Sequence, residues 1–331
     1  MVIMKIVVDA MGGDYAPTAI IEGVVDAVKE FKVSIVLVGD QSTVQSELNK
    51  YDYPKELIEI VHASEAVGMD EPASTPIRKK KDSSISVGVK LLKESPYDAF
   101  ISAGNTGAVV AASTIYLGML EGAERPAIGL TIPSLKKFSF LMDAGANTEA
   151  KPKHLLQSAI MARVYVKEVL GVENPSVGLV NIGEEATKGS GFAKETYKLL
   201  EGRIENFIGN IEANEIYTGK CDCVICDGFV GNIILKVSEG LMESAGKLMK
   251  QEIKKSPLAI LGAGILKLSL KDIRKLVDYS EYGGAPLLGV NGLVMISHGR
   301  SNAKAIKNAI KATIREVEHR IIETMVMEIS R

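Results

Sequence analysis

The chain has 331 residues, of which 46% are hydrophobic and 24% charged, a balance that suits a folded chain and excludes intrinsic disorder. With 39 Lys+Arg against 41 Asp+Glu the net charge is −2, and no basic block exceeds four residues. Nothing in that balance calls for nucleic acid as a partner.

The predicted elements repeat one pattern: an apolar run of strand length, a Gly/Asp/Asn turn, then a helical period. Ile3–Val8 reads as a first strand rather than a signal peptide, which points to the cytoplasm. It ends in Asp9-Ala-Met-Gly-Gly-Asp14, after which Pro17 suits a first helical position and Ile20, Ile21, Val24, Val25 and Val28 share one face. Ser34–Val38 and Ile58–His62 read as further strands, with a polar helix from about Ser42 between them. Ala99 to Leu120 is uncharged for 22 residues, but Gly104-Asn-Thr-Gly107 interrupts it, so it reads as strand, turn and buried helix rather than a membrane span. Ala127–Ile132 and Ser139–Met142 read as neighbouring strands, such as a hairpin. Val177–Asn181 and Cys223–Cys226 each lead through a glycine turn into a helix, and Leu293–Ser297 leads through His298-Gly299 into a C-terminal helix of roughly thirty residues.

Strands alternating with helices at this spacing predict an α/β fold, a mostly parallel sheet with helices on both faces. Length allows two domains; with no linker or repeat the chain reads as one large α/β domain, 1–331, carrying one insertion at 254–279. Sheets of this kind bind ligands beyond the carboxyl ends of their strands, where the glycine-rich turns fall.

Several familiar chemistries fail on inspection. Gly240–Lys247 is one residue too long for a P-loop and continues with Leu248, while Gly189-Ser-Gly lacks the third glycine of a dinucleotide fingerprint. No organic cofactor is therefore expected. Cys221, Cys223 and Cys226 are an odd count, which argues against a disulfide framework, and they lack a fourth ligand for structural zinc; buried thiols are the simpler reading and no metal is expected. No Gly-x-Ser-x-Gly elbow occurs. What remains is a set of glycine turns that carry Asn105, Lys188 and Asn232. Backbone N–H groups at helix starts favour an anion, so phosphate is the ligand these turns suggest. Arg78, Lys79, Lys80 and Lys81 form either a solvated loop before a helix capped by Asp82 or Ser83, or a landing patch for an acidic partner.

Seven strings in register resemble the PlsX family of acyl-carrier-protein:phosphate acyltransferases. They are Asp9–Asp14, Ser102–Ala108, Asp143–Asn147, Asn181–Glu185 with Lys188-Gly189, Asp227–Asn232, Tyr282–Gly289 and Ser297–Gly299. One departure is Ala213, where the family pattern suggests glycine. The resemblance implies a fold like phosphotransacetylases and isopropylmalate-dehydrogenase-like enzymes, usually as a homodimer and without an organic cofactor. It implies attack of inorganic phosphate on the thioester of a long-chain acyl group on acyl carrier protein. Lys188 and Asn232 are carried over as catalytic; Asp9, Gly12, Gly13, Asn105, Thr106, Asp143 and Asn147 would shape the substrate pocket, and His298 would protonate the leaving thiolate or be purely structural.

The 254–279 insertion predicts a helical hairpin. Leu258, Leu261, Ile265 and Leu268 line its first helix, and Leu266, Leu270, Ile273 and Val277 its second. Its apolar tip and flanking lysines suit a membrane surface, where an acyl-phosphate would pass to a membrane-bound glycerol-3-phosphate acyltransferase; that makes the protein cytoplasmic and peripherally membrane-associated, with Leu258, Leu261, Ile265 and Leu266 as contacts. A dimer interface or acyl-pocket lining is the competing reading. Rival functions are a phosphotransacetylase using short acyl-CoA and a non-catalytic membrane scaffold.

Overall fold

The computed structural model describes residues 4–94, 96–269 and 283–330. The apolar runs become strands β1 (Lys5–Asp9), β2 (Ser34–Gly39), β3 (Ile58–His62), β4 (Ala99–Ser102), β5 (Ala127–Ser134), β6 (Lys137–Met142), β7 (Val177–Val180), β8 (Phe207–Ile211), β9 (Cys223–Ile225), β10 (Ala285–Leu288) and β11 (Leu293–Ile296). The helices are α1 (Thr18–Phe31), α2 (Gln41–Leu48), α3 (Thr75–Arg78), α4 (Ser84–Lys93), α5 (Thr106–Tyr116), α6 (Pro152–Glu168), α7 (Gly191–Arg203), α8 (Gly228–Ile253), α9 (Pro257–Ser269), α10 (Ala303–Glu318) and α11 (Ile321–Ile329).

All the described strands join one sheet in the order β3-β2-β1-β4-β11-β10-β5-β6-β9-β7-β8. Pairing is parallel within β3-β2-β1-β4-β11 and within β6-β9-β7-β8. Between these blocks β10 is antiparallel to both neighbours, and β5 is antiparallel to β6. Three reversals leave the two parallel blocks running in opposite directions. The continuous apolar strands follow from burial on both faces: Ile6 and Val8 belong to the core layer that also holds α1, α2, α6 and α10, whereas Val7 belongs to the layer that holds α4 and α5.

Local chemistry accounts for the helix starts. Asp40, Ser83, Asn105, Ser190, Asp227 and Asn302 each accept a backbone N–H two or three residues into the helix that follows. Pro17 sits one position earlier than expected, as the residue before α1. The expected single C-terminal helix is two. Arg320 takes a left-handed conformation (φ +48°) after His319, which redirects the chain so that Ile321 and Met325 become buried, with α11 packed on α6. Ala213 opens a short 3-10 turn with no positive φ, so glycine is not required there. The 99–120 stretch is β4, a turn and α5, and no described helix is long and apolar enough to cross a membrane.

The P-loop look-alike Gly240–Lys247 lies inside α8, where a regular helix offers no phosphate cradle. All three cysteines are buried, and burial pushes the Cys221 thiol up to about 12. Of the hairpin, α9 exists; the segment expected to form its second helix, including Leu270, Ile273 and Val277, lies outside the described residues.

Candidate active site

The two blocks of strands meet at a groove of about 1840 Å³. Its floor is one face of β5, through Ile128, Leu130 and Ile132. One wall is α5, through Thr106, Val110 and Ile115; the other is α8, through Asn232, Leu235, Glu239 and Met242. Along each wall these residues recur at helical spacing, so a single face of each helix looks into the groove. Most of the lining is apolar, with Thr114, Thr131, Ser134, Lys236 and Ser238 interspersed along it.

At one end the turn after β6 meets the start of α8. Asp143 is buried, and its carboxylate accepts four backbone N–H groups, from Ile128 (3.0 Å), Gly145 (3.0 Å), Ala146 (2.9 Å) and Asn147 (2.7 Å). Burial raises its pKa while those N–H groups pull it down, with burial the larger effect. Asp143 therefore shapes the turn and does not reach the groove. A Cβ on Gly231 would collide with the Asp143 carbonyl, so only glycine lets the first turn of α8 pack here. That contact places Asn232 beside Gly145, with Asn147 and Arg125 on the same wall.

At the other end stand Thr106, Ser297, His298 and Arg300, with Gly283 and Gly284. The Arg300 N–H donates to His298 Nδ1 (3.1 Å), and His298 Nε2 lies 3.8 Å from Glu239 Oε1. Glu239 is seven residues along α8 from Asn232, about 10 Å at the rise of a helix. His298 and Asn232 thus mark different stations on the groove.

Asp9, Gly12 and Gly13 form a tight junction behind this end. Buried Asp9 accepts from Ser102 Oγ (2.7 Å) and the Met11 N–H (3.0 Å), and burial raises its pKa against those bonds. A Cβ on Gly12 would meet the Asp9 carboxylate and the Gly104 backbone. Asn105 is also committed: its Oδ1 caps α5 at the Ala108 N–H, and its Nδ2 donates to the carbonyls of Gly68, Met69 and Glu71 (3.3, 2.8 and 2.9 Å). It clamps the loop before α3 and leaves Thr106 as the neighbour that lines the groove.

Lys188 lies on the exposed turn after β7 and carries no ion pair among the described residues. It is not among the groove-lining residues, so the structure does not bring it onto the wall that holds Asn232. Of the basic run, Arg78 lines the groove, Lys79 and Lys81 are solvent-facing, and Lys80 is tied to Glu71 (2.5 Å) and the Ala66 carbonyl (2.7 Å). On α9, Leu258, Leu261, Ile265 and Leu266 are 81%, 66%, 69% and 55% exposed.

Sequence reasoning missed Arg125, Glu124 and His154. It searched the carboxyl ends of strands, whereas Arg125 precedes β5, whose antiparallel sense brings its amino end beside the carboxyl end of β6. An Arg-Pro pair just before a strand was the signal available.

A model of the family described as "Fatty acid synthesis protein" matches residues 4–324. The chain belongs to that family. It is the PlsX family that the seven strings resemble. The phosphate acyltransferase of Alkaliphilus oremlandii is 49% identical over 320 residues, covering 97% of this chain and 96% of the relative. That of Dictyoglomus turgidum is 47% identical over 326 residues, 97% of each. Among solved structures, a phosphotransacetylase from Streptococcus pyogenes aligns with a TM-score of 0.62 at 16% identity, covering 96% of this chain and 94% of that one. A 4-hydroxythreonine-4-phosphate dehydrogenase from Klebsiella pneumoniae aligns at 0.52 and 13% identity, covering 95% and 99%. These structural matches concern the fold alone.

Proposed function

We propose that the protein is a phosphate acyltransferase that moves a long-chain acyl group from acyl carrier protein to inorganic phosphate, for phospholipid synthesis. The observation that carries this reading is the apolar groove ending at Asn147 and Asn232. Its volume exceeds the roughly 300–1,000 Å³ of an ordinary small-ligand pocket, which suits an extended acyl chain better than an acetyl group. In the reaction a phosphate oxygen attacks the thioester carbonyl, the C–S bond breaks, and the carrier thiolate leaves and takes up a proton. No enzyme nucleophile is needed, so binding, alignment and stabilisation of the oxyanion are the enzyme's task.

Asn232 positions phosphate or donates to the oxyanion, and Lys188 neutralises phosphate charge. His298 is assigned to the donor end of the groove. Arg78, Lys79 and Lys81 receive the acidic carrier protein. The exposed apolar face of α9 rests on the membrane surface, from which the product passes to a membrane-bound glycerol-3-phosphate acyltransferase, and the active form is a homodimer in the cytoplasm. The apolar stripe Val237, Leu241 and Leu248 on α8, exposed in the single chain, supports self-association.

The test is incubation with palmitoyl-acyl carrier protein and phosphate, trapping acyl-phosphate with hydroxylamine. Hydroxamate should form with the carrier-bound donor and not with acetyl-CoA. No hydroxamate above the enzyme-free level would sink the reading.

A further inference from the structure

The polar end of the groove is held from behind by a buried histidine. His154, in the first turn of α6, is 7% exposed, and its Nδ1 accepts the Lys151 N–H at 3.0 Å. That nitrogen carries no proton, so the neutral ring keeps its hydrogen on Nε2, which lies 3.3 Å from Glu124 Oε2. Glu124 is itself fixed: its Oε1 accepts from Lys153 Nζ (2.5 Å) and its N–H donates to Gln157 Oε1 (3.1 Å). Asn147 Nδ2 lies 3.2 Å from the same His154 Nδ1. Nδ1 has one lone pair, which the Lys151 and Asn147 N–H groups share; because it can only accept, the amide nitrogen of Asn147 is the atom that faces it, and the carboxamide has one orientation rather than two. The Asn147 backbone is tied as well, since its N–H meets Asp143 Oδ2 and its carbonyl accepts the Gly228 N–H (3.0 Å) that opens α8.

We infer that Glu124 and His154 form a positioning pair that fixes the Asn147 carboxamide on the groove wall beside Asn232. The inference rests on the phosphate acyltransferase reading. With Nδ2 directed to the ring, Asn147 keeps one N–H and its Oδ1 without a protein partner among the described residues. Phosphate at neutral pH offers matching groups, oxygens that accept and, when singly protonated, a hydroxyl that donates. A carboxamide held in one orientation can align the attacking oxygen. The competing role for His154 is structural, because as the third residue of α6 it caps the helix through the Lys151 N–H.

Initial rates with phosphate varied and acyl-acyl carrier protein saturating separate the two. His154→Ala should lower kcat/KM for phosphate about tenfold, the lower end of the range for losing a supporting partner, without changing KM for the acyl donor. Asn147→Ala should lose at least as much. The double variant should be no worse than Asn147→Ala, since a residue that acts only through another adds nothing once that other is gone. His154→Asn places a carbonyl oxygen near the position of Nδ1 and should recover most of the loss.

If the His154→Ala and Asn147→Ala losses multiply, if His154→Asn is as impaired as His154→Ala, or if only the melting temperature moves, the inference is wrong. Should His154→Ala fail to fold, Glu124→Ala carries the same comparison: a loss absent from the Asn147→Ala background supports the pair, and no loss overturns it. If the wild-type protein makes no acyl-phosphate, the functional reading fails instead. The pair is then read in the free protein from the ¹⁵N resonances of the Asn147 side chain, which should shift in Glu124→Ala; no shift would overturn it.

Discussion

Asn232 owes its place to the glycine before it. Gly231 packs on the Asp143 carbonyl with no room for a Cβ, so the amide beside it is held by backbone rather than by a mobile side chain. Asn232→Ala should therefore leave the fold intact and reduce turnover about 10²-fold, the scale for losing one preorganised polar group. Lys188→Ala should cost as much, expressed chiefly in KM for phosphate, because the role assigned to Lys188 is to neutralise phosphate charge. Full activity in either stable variant would move the site elsewhere. A second prediction concerns a residue with no part in the chemistry. Tyr165 donates to Glu316 (2.9 Å) between α6 and α10, and burial raises the Glu316 pKa to about 8. The folded state thus holds a proton that the unfolded chain releases near pH 4.5, so stability is greatest below that value and declines as pH rises towards 8. Glu316→Gln should flatten this decline and stabilise the protein at pH 8 by about 1 kcal/mol or more, read by urea unfolding. Identical pH slopes in both proteins would show that Glu316 is charged or solvated when folded.

Among the elements, α3 and its flanking loop separate cations that the sequence presents as one run. Lys80 is spent inside the loop, on Glu71 and the Ala66 carbonyl, whereas Lys79 and Lys81 face solvent. Lys79→Glu with Lys81→Glu should raise KM for acyl-acyl carrier protein severalfold at low salt and leave kcat unchanged, the difference shrinking as salt screens the patch. Unaltered KM at low salt would return the run to a solvated loop. On α9, Leu261→Glu with Ile265→Glu should abolish flotation with anionic liposomes while the protein stays a dimer active on soluble substrate. A variant that still floats, or that becomes monomeric, points to a dimer interface. The sequence made these elements legible wherever a capping residue followed an apolar run, as at Asp227 and Ser190. It did not resolve α6, where buried residues surround the helix and no narrow stripe stands out, nor the break at Arg320, which only the packing of Ile321 and Met325 explains.

For the whole molecule, the sense of each strand was the missing information. Glycine turns mark strand ends, and the turns at Asp9, Gly104 and Asp227 were legible on that basis, whereas the turn at Asp143 was marked only by the family resemblance. Whether two ends lie on one side of a sheet depends on pairing partners far away in sequence, which no local pattern records. The reversal at β10 and β5 is what lays the groove across the sheet face, puts Arg125 at its polar end and sets His298 apart from Asn232. That geometry predicts a chain-length effect. Leu130 lies midway along the floor, so Leu130→Trp should shorten the usable groove and shift preference towards shorter acyl donors, with phosphate KM unchanged. A uniform loss across donor lengths would place the acyl chain elsewhere.

The strand order also sets a schedule. β4 and β5 follow one another in the chain but never touch; β11 and β10, encoded beyond residue 284, stand between them. A nascent chain that has delivered β1 to β9 still has no sheet ladder joining β1–β4 to β5–β9. Only when β10 and β11 emerge from the ribosome can the two halves be stitched edge to edge, a pairing of high sequence separation and correspondingly late. Until then the floor of the groove, β5, has an open edge facing solvent where β10 will pair. A chain cut short before residue 296 should therefore hold two partial sheets and no enzyme, prone to pair with other copies through those edges.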